Sequence, residues 1–309
     1  MRYYCLGTKF QNRCVLLYGF FNQWVNKTLV LPAIAASSYS QVIIIIIKSY
    51  KSAVRFTFAA TMAEFPHDKI KPFSAAGGKK EQVSAMFDNI AGRYDFMNRF
   101  LSAGIDVSWR IKAISLFKKD QPRHLLDVAT GTADMALRAA KMLHPQKITG
   151  IDISPGMLAI GRKKVAAEVL STEIELLDGD SETIHFPDAT FDGVMVAFGV
   201  RNFEHLEQGL SEIYRVLKPG AQLVVLEFSK PKIPLVQPLY NLYMNQMAPF
   251  FAELFTKNKK AYQYLNESSK AFPDRENFVR ILSEVGFQKT YFKPLSFGIC
   301  CVYSGRKAS

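Results

Sequence analysis

Between residues 124 and 229 the chain repeats one pattern: a short apolar run, a turn bearing glycine or a carboxylate, then a stretch with helical spacing. The runs are "HLLDVAT" (124–130), "KITGIDIS" (147–154), "EIELLDG" (173–179), "VMVAFG" (194–199) and "AQLVVLEFS" (221–229). Strand and helix in alternation require crossover connections, so the expected fold class is α/β: a parallel sheet with helices on both faces. Strands as continuously apolar as Leu223 to Leu226 agree, because both faces of such a sheet are covered. Helices are expected over 80–100, where Val83, Met86, Phe87, Ile90, Tyr94 and Met97 recur every three or four positions, and over 132–143, 205–217 and 274–285. Pro155 suits the first turn of a further helix, where its missing N–H costs nothing. The C-terminal "FQKTYFKPLSFGICCVYSGRK" reads as two strands joined near Lys293-Pro294, which makes the last strand antiparallel.

The flanks read differently. Residues 1–61 carry seven Lys and Arg and no Asp or Glu, so they hold +7 of the net charge of +12 and leave a mildly basic remainder of +5. That remainder has no basic stripe of the kind that nucleic-acid binding requires, so no nucleic-acid partner is expected. Within 1–61 the densest apolar run, "VIIIII" (42–47), is too short to span a membrane. An anchor, an organelle transit peptide, and a disordered or untranslated extension ahead of a start at Met62 are the open readings, the last being favoured. Residues 62–78 are expected to be a mobile linker and 79–309 one domain, interrupted by an aromatic and Met-rich insert over about 235–270. Cys300 and Cys301, as neighbours on a strand, face opposite ways and do not bridge. No Cys/His spacing suggests a metal, and a reducing, cytoplasmic compartment fits.

Ligands of open α/β sheets bind at the carboxyl ends of the strands, where strand order reverses. There the sequence places Gly131 and Thr132 after strand one, Asp152 at the end of strand two, and Asp180-Ser181 after strand three. Asp152 suits the two hydroxyls of a ribose, and Asp180-Ser181 suits an adenine amino group. Singly each is ambiguous: Thr132 or Asp152 could be a helix cap. Together they point to an adenosine-containing ligand. The dinucleotide fingerprint G-x-G-x-x-G is absent, since Ala129 and Asp134 stand at its first and last glycines. An acid there repels a pyrophosphate and tolerates a sulfonium, which favours S-adenosyl-L-methionine.

The stretches "FDNIAGRYDFMNRFLSAGIDVSWR" (87–110), "LLDVATGTAD" (125–134), "GIDISPGML" (150–158), "FGVRN" (198–202) and "YRVLKPGAQLVVLEFSKP" (214–231) closely resemble the ubiquinone/menaquinone biosynthesis C-methyltransferase family. The resemblance runs from about residue 80 to the C-terminus, and "GTAD" is more like the menaquinone branch. It implies a class I S-adenosylmethionine-dependent methyltransferase: a Rossmann-like seven-stranded sheet with its last strand antiparallel, N-terminal helices and a helical cap. It places Thr132, Asp152, Asp180 and Ser181 at cofactor-binding positions. Ala129, Ala133 and Ala221 stand where many methyltransferases have glycine, and Ala197 where some members have serine.

The resemblance further implies C-methylation of a prenylated quinol ring, with neither a metal nor a covalent nucleophile. Such chemistry needs in-line alignment of ring carbon, methyl and sulfur. It also needs an ionised hydroxyl beside that carbon. Arg201, a fixed cation where strand four ends, favours the ionised form. Asn202 is expected to hold a second ring oxygen. The competing reading of Arg201 is a structural ion pair to Glu227 or Asp95. His205, Asp180 and a water on Asp180 all stay open as the base, and Tyr94 and Asp95 either line the site or serve packing and capping. The run "PLYNLYMNQMAPFFAELF" (238–255) offers an apolar path for the prenyl tail or packs as a cap helix. Lys257, Lys259 and Lys260 beyond it suit transient contact with an anionic membrane surface, a peripheral location, or simple solvation. Benzo- or naphthoquinol preference and oligomeric state, a homo-oligomer included, are open. A methyltransferase for RNA or another small molecule, a scaffold without activity and an NAD oxidoreductase are the alternatives. Asp152 argues against the scaffold and Asp134 against the oxidoreductase.

Overall fold

In the computed structural model, which describes residues 65–73, 77–247 and 259–309, seven strands form one sheet in the order β3-β2-β1-β4-β5-β7-β6. They are β1 (His124–Val128), β2 (Lys147–Asp152), β3 (Glu173–Asp178), β4 (Phe191–Ala197), β5 (Leu217–Phe228), β6 (Gln288–Leu295) and β7 (Cys300–Arg306). The first five pair in parallel, and β7 runs antiparallel to β5 and β6. Strand order reverses between β1 and β4, which fixes where a ligand crevice opens.

The two-residue period of the strands divides the core between the two sheet faces. Leu126, Val128, Val194, Val196, Leu223, Val225, Cys301 and Tyr303 join one cluster, beneath helices α5 (Leu206–Val216) and α8 (Glu276–Val285). Leu125, Met195, Val224, Leu226, Cys300 and Val302 join the other, against α2 (Ile105–Ile114) and α3 (Asp134–Leu143). Each such side chain contributes about 1.5–3 kcal/mol when fully buried. Cys300 and Cys301 are both free thiols and face opposite clusters.

A third cluster lies above the strand ends. There α1 (Lys79–Leu101) packs Val83, Met86 and Ile90 against Met157 of α4 (Pro155–Ala166) and Tyr264 of α7 (Lys259–Ala271). The insert contributes α6 (Val236–Leu242) and a wide turn over Tyr243–Met247. Tyr243 fastens it by donating to the Leu101 carbonyl at 2.7 Å.

Two sequence expectations need correction. The hairpin does not turn at Lys293-Pro294: Pro294 lies within β6, opposite Cys301. β6 is the edge of the sheet, where a residue without an N–H is tolerated. The turn falls instead at Ser296, Phe297 and Gly298, all with positive φ. Nor do residues 65–73 form a free linker. Pro66–Lys69 is a 3₁₀ turn whose His67 is fully buried, edge-on to Phe272. Burial, with the Lys79 ammonium nearby, pushes the His67 pKa down to about 3, so His67 sits there as the neutral ring. Residues 1–61, and the part of the apolar insert over 248–258, lie outside the described residues.

Candidate active site

The strand ends converge on a cavity of about 70 Å³. β1 supplies Ala129 and Gly131, β2 supplies Asp152 and Ile153, β3 leads into Asp180, Ser181 and Glu182, and β4 leads into Phe198, Gly199 and Asn202. The loop after β1 needs three left-handed residues, Ala129, Gly131 and Ala133, of which only Gly131 adopts that conformation without strain. Gly199 allows β4 to end against β1, since a Cβ there would lie 2.7 Å from that of Ala129.

Asp152 anchors this loop. One carboxylate oxygen accepts from the Gly131 N–H at 2.8 Å and the other from the Ser154 N–H at 2.9 Å. Burial pushes its pKa up to about 6, against the pull of these N–H donors. The cap of α4 is Ser154, whose hydroxyl accepts from the Met157 N–H at 3.2 Å, so Asp152 is left to face the cavity. Below the cavity Asp127 is buried with one carboxylate oxygen on the Thr130 hydroxyl at 2.7 Å. Burial raises it to about 7.

Helix α1 closes the cavity from above by polar contacts along its length. Lys80 reaches Asp180 at 2.5 Å and Glu182 at 3.2 Å. Ser84 donates to the Ile153 carbonyl, and Asp88 accepts from the Ser154 hydroxyl and the Gly156 N–H. Asp95 accepts from Thr132 and pairs with Lys164.

A second cavity, of about 280 Å³, opens beside the first. Tyr94 and Phe198 line both. Its walls come from α1, α2, α6, α7 and the β6–β7 turn, and it is lined by Leu101, Trp109, Phe228, Tyr240, Tyr243 and Met244 among others. Two guanidiniums reach it, from Arg110 and Arg201. Phe198, with φ of 58°, turns its carbonyl back so that Arg201 donates to it at 2.7 Å and Asn202 at 3.4 Å.

The structure therefore brings Gly131, Asp152, Asp180 and Ser181 together in the first cavity. Thr132 does not line it. Its buried hydroxyl donates to Asp95 at 2.6 Å, and the residue preceding α3 is Ala133, so Thr132 is not the helix cap either. Asp134 is not a free acid facing a ligand: it pairs with Lys164 and, at 3.2 Å, with Arg99. Arg201 and Asn202 are separated. Successive residues of the 3₁₀ turn Val200–Asn202 point about 120° apart, so Arg201 faces the second cavity and Asn202 the first. Asn202 accepts from the Tyr264 hydroxyl at 3.2 Å and lines the first cavity rather than the second, apart from Arg201. Arg201 is paired with Glu227 and not with Asp95. His205 is exposed and lines neither cavity.

Sequence reasoning gave α2 no bounds and Asp106, Trp109 and Arg110 no role, although the stretch 87–110 contains all three. A signal was available: Gly104, left-handed at φ 77°, separates the two helices, and Asp106 and Arg110 stand four apart.

Residues 75–307 match the model of the ubiE/COQ5 methyltransferase family. The chain is 47% identical over 244 residues to a demethylmenaquinone methyltransferase of Bacteroides fragilis, covering 79% of this chain and 99% of that one. It is 44% identical over 230 residues to a ubiquinone/menaquinone biosynthesis C-methyltransferase of Geobacter sulfurreducens, covering 74% and 90%. Among solved structures, a putative S-adenosyl-L-methionine-dependent methyltransferase of Methanococcus maripaludis shares the fold, with a TM-score of 0.52 at 20% identity over 77% of this chain and 98% of that one. Human N-acetylserotonin methyltransferase in complex with S-adenosylmethionine does so with a TM-score of 0.52 at 19% identity, over 74% and 59%. The described residues hold no cluster suited to a metal ion. A ligand crevice at the β1/β4 switch point, on a seven-stranded sheet with this strand order, completes the assignment: the chain is an S-adenosylmethionine-dependent methyltransferase and belongs to the ubiE/COQ5 methyltransferase family.

Proposed function

We propose that this enzyme methylates a ring carbon of a prenylated quinol, converting demethylmenaquinol to menaquinol. The observation that carries the reading is the meeting of two unlike cavities at Tyr94 and Phe198. The lining of the first suits S-adenosylmethionine. Asp152 and Asp180 offer acceptors to ribose hydroxyls and an adenine amino group, Ser181 stands beside them, and Phe87, Ile153 and Met157 supply apolar wall. When bound there, the cofactor supplies a methyl group already activated by its sulfonium. The second cavity fits an aromatic head with an apolar tail, since it is mostly aromatic and aliphatic and yet carries buried cations.

Arg201 supplies the charge that favours an ionised ring hydroxyl. It remains paired with Glu227, so its effect on that hydroxyl is that of a hydrogen-bonded ion pair rather than of a bare cation. Tyr94 and Phe198 position the ring where the cavities join. The test incubates wild type and Arg201→Ala with labelled S-adenosylmethionine and reduced demethylmenaquinone, alongside cofactor titration and melting. Transfer that is lost in a folded, cofactor-binding variant supports the reading. A wild type that binds cofactor and leaves the quinol unmethylated sinks it.

Such a substrate resides in a membrane, and no helix among the described residues is long and apolar enough to cross one. We infer peripheral contact through the outer face of α6. Tyr240, Tyr243 and Met244 line the cavity, while Leu235 (81% exposed), Leu239 and Leu242 face outward at helical spacing. Phe297, 72% exposed, lies on the turn whose Ser296 and Ile299 line the same cavity. Vesicle flotation that is unchanged in Leu235→Glu/Leu239→Glu overturns this surface.

A further inference from the structure

Arg110 has the attributes of a ligand-binding group and no part in the function described above. It projects from α2 into the second cavity and is 5% exposed. Its Nη1 donates to Asp106 Oδ2 at 2.5 Å, while its buried Nε has no hydrogen-bond partner among the described residues. Asp106 does not belong to Arg110 alone. It also pairs with Arg99 at 2.7 Å and accepts from the Ser102 hydroxyl at 2.9 Å. Arg201 repeats the arrangement: buried, on a carboxylate, lining the cavity, with its Nε unpartnered among the described residues.

Each of the two guanidiniums lies over one ring of an aromatic pair. That of Arg110 lies 5.2 Å from the centre of the Phe198 ring, that of Arg201 lies 5.5 Å from the centre of Phe228, and the two rings are 4.7 Å apart. Two guanidinium-bearing residues on the wall of one cavity match a flat ring that carries two oxygens. Arginine only donates, so it accepts a hydroxyl, an ionised hydroxyl or a carbonyl oxygen equally well.

We propose that Arg110 is the second anchor of the substrate ring, receiving the oxygen para to the hydroxyl held at Arg201. The assignment rests on the quinol reading above. It gives the 1,4-dioxygenated ring a fixed orientation, with the methylated carbon set by two contacts instead of one. Discrimination against rings with a single oxygen follows, because such a ring leaves Arg110 buried and unmatched.

The test is a cycle between enzyme and substrate. Wild type and Arg110→Gln are assayed with a short-tailed demethylmenaquinol and with its analogue in which the far hydroxyl is replaced by hydrogen. Cofactor affinity and melting temperature are measured in parallel. Loss of that hydroxyl lowers kcat/KM about 10- to 100-fold in wild type, the size of a hydrogen bond to a charged group. In Arg110→Gln the diol reaction falls by a similar factor, and loss of the hydroxyl then changes the rate less than about threefold, with cofactor affinity intact. Equal losses on both substrates overturn the proposal and leave Arg110 a structural residue. If the glutamine variant does not fold, Arg110→Lys keeps the charge against Asp106 and is held to the same comparison. A wild type that binds cofactor and methylates neither compound overturns the quinol reading, and this assignment with it.

Discussion

Arg201 Nη1 stands 2.6 Å from Glu227 Oε1, with the two side chains 2% and 0% exposed. β5 and the turn after β4 are thereby joined by charge at the wall of the second cavity. Removing one partner of such a pair strands the other, at a cost of about 3–5 kcal/mol. Glu227→Gln leaves a permanent buried cation and removes the titrating carboxyl, so the variant's stability should lack the pH dependence that Glu227 contributes. Arg201→Met leaves Glu227, whose pKa burial already raises. There the folded state holds the proton more tightly than the unfolded chain, so stability falls as pH climbs past the ordinary glutamate range. Urea melts at pH 5 and pH 8 should show the fall of stability with pH enlarged in Arg201→Met and removed at this site in Glu227→Gln.

On the function proposed above Asp152 is the acceptor for the cofactor ribose, and burial raises its pKa to about 6. Ribose hydroxyls bind the carboxylate better than the acid. Cofactor affinity should therefore hold from pH 8 to about 6.5 and weaken as pH falls through 6. Asp152→Asn should lower affinity about 10- to 100-fold at pH 8 and abolish that decline. Calorimetric titration across pH 5–8 checks both, and a flat wild-type profile contradicts the assignment.

The extent to which the sequence revealed this arrangement follows from the physics of each part. β1, β2, β4 and β5 were legible because a strand buried on both faces is built from a continuous apolar run, while β3, at the sheet edge and only partly buried, was legible from its place in the alternation. Gly131, Asp152, Asp180 and Ser181 were legible because they immediately follow such runs. Thr132 was misplaced for a reason the loop sequence does not contain: its partner Asp95 lies 37 positions away on α1. Arg201 and Asn202 were read as one unit because they are neighbours, whereas a 3₁₀ turn sends neighbours apart. The second cavity was hardly legible. It is assembled from α1, α2, α6, α7 and the β6–β7 turn, and no single one of these presents its lining as a contiguous motif.

Asp127 lies on β1 just before the loop that carries Ala129 and Gly131, 1% exposed and with Oδ1 unpartnered among the described residues. Its pKa is raised to about 7 by burial, above the ordinary value of 3.8. Between about pH 4 and 7 the folded state binds a proton that the unfolded state releases, so this group's contribution declines as pH rises through that window. Asp127→Asn should flatten the slope of melting temperature against pH over 4–7, with the variant gaining on wild type toward pH 8. A slope as steep in the variant as in wild type excludes Asp127 as its source.

Lys79 opens α1 with its side chain fully buried, and burial pulls its pKa down to about 8. Its ammonium donates to the carbonyls of His67 at 2.8 Å, Phe203 at 2.8 Å and Arg201 at 3.4 Å. One side chain therefore binds the segment over Pro66–Lys69 to the turn that aims Arg201 and Asn202 into different cavities. Lys79→Met keeps much of the volume and leaves three carbonyls without that donor, at a cost of about 1–3 kcal/mol for each one left unsatisfied. If Lys79 served only stability, the folded fraction of the variant would turn over at the wild-type rate. The turn it holds is the one that carries Arg201, so the expected result differs: kcat for the quinol falls about tenfold while the affinity for cofactor, assigned above to Asp152 and Asp180, changes by less than about threefold. Turnover measured on the folded fraction, beside a cofactor titration, separates the two.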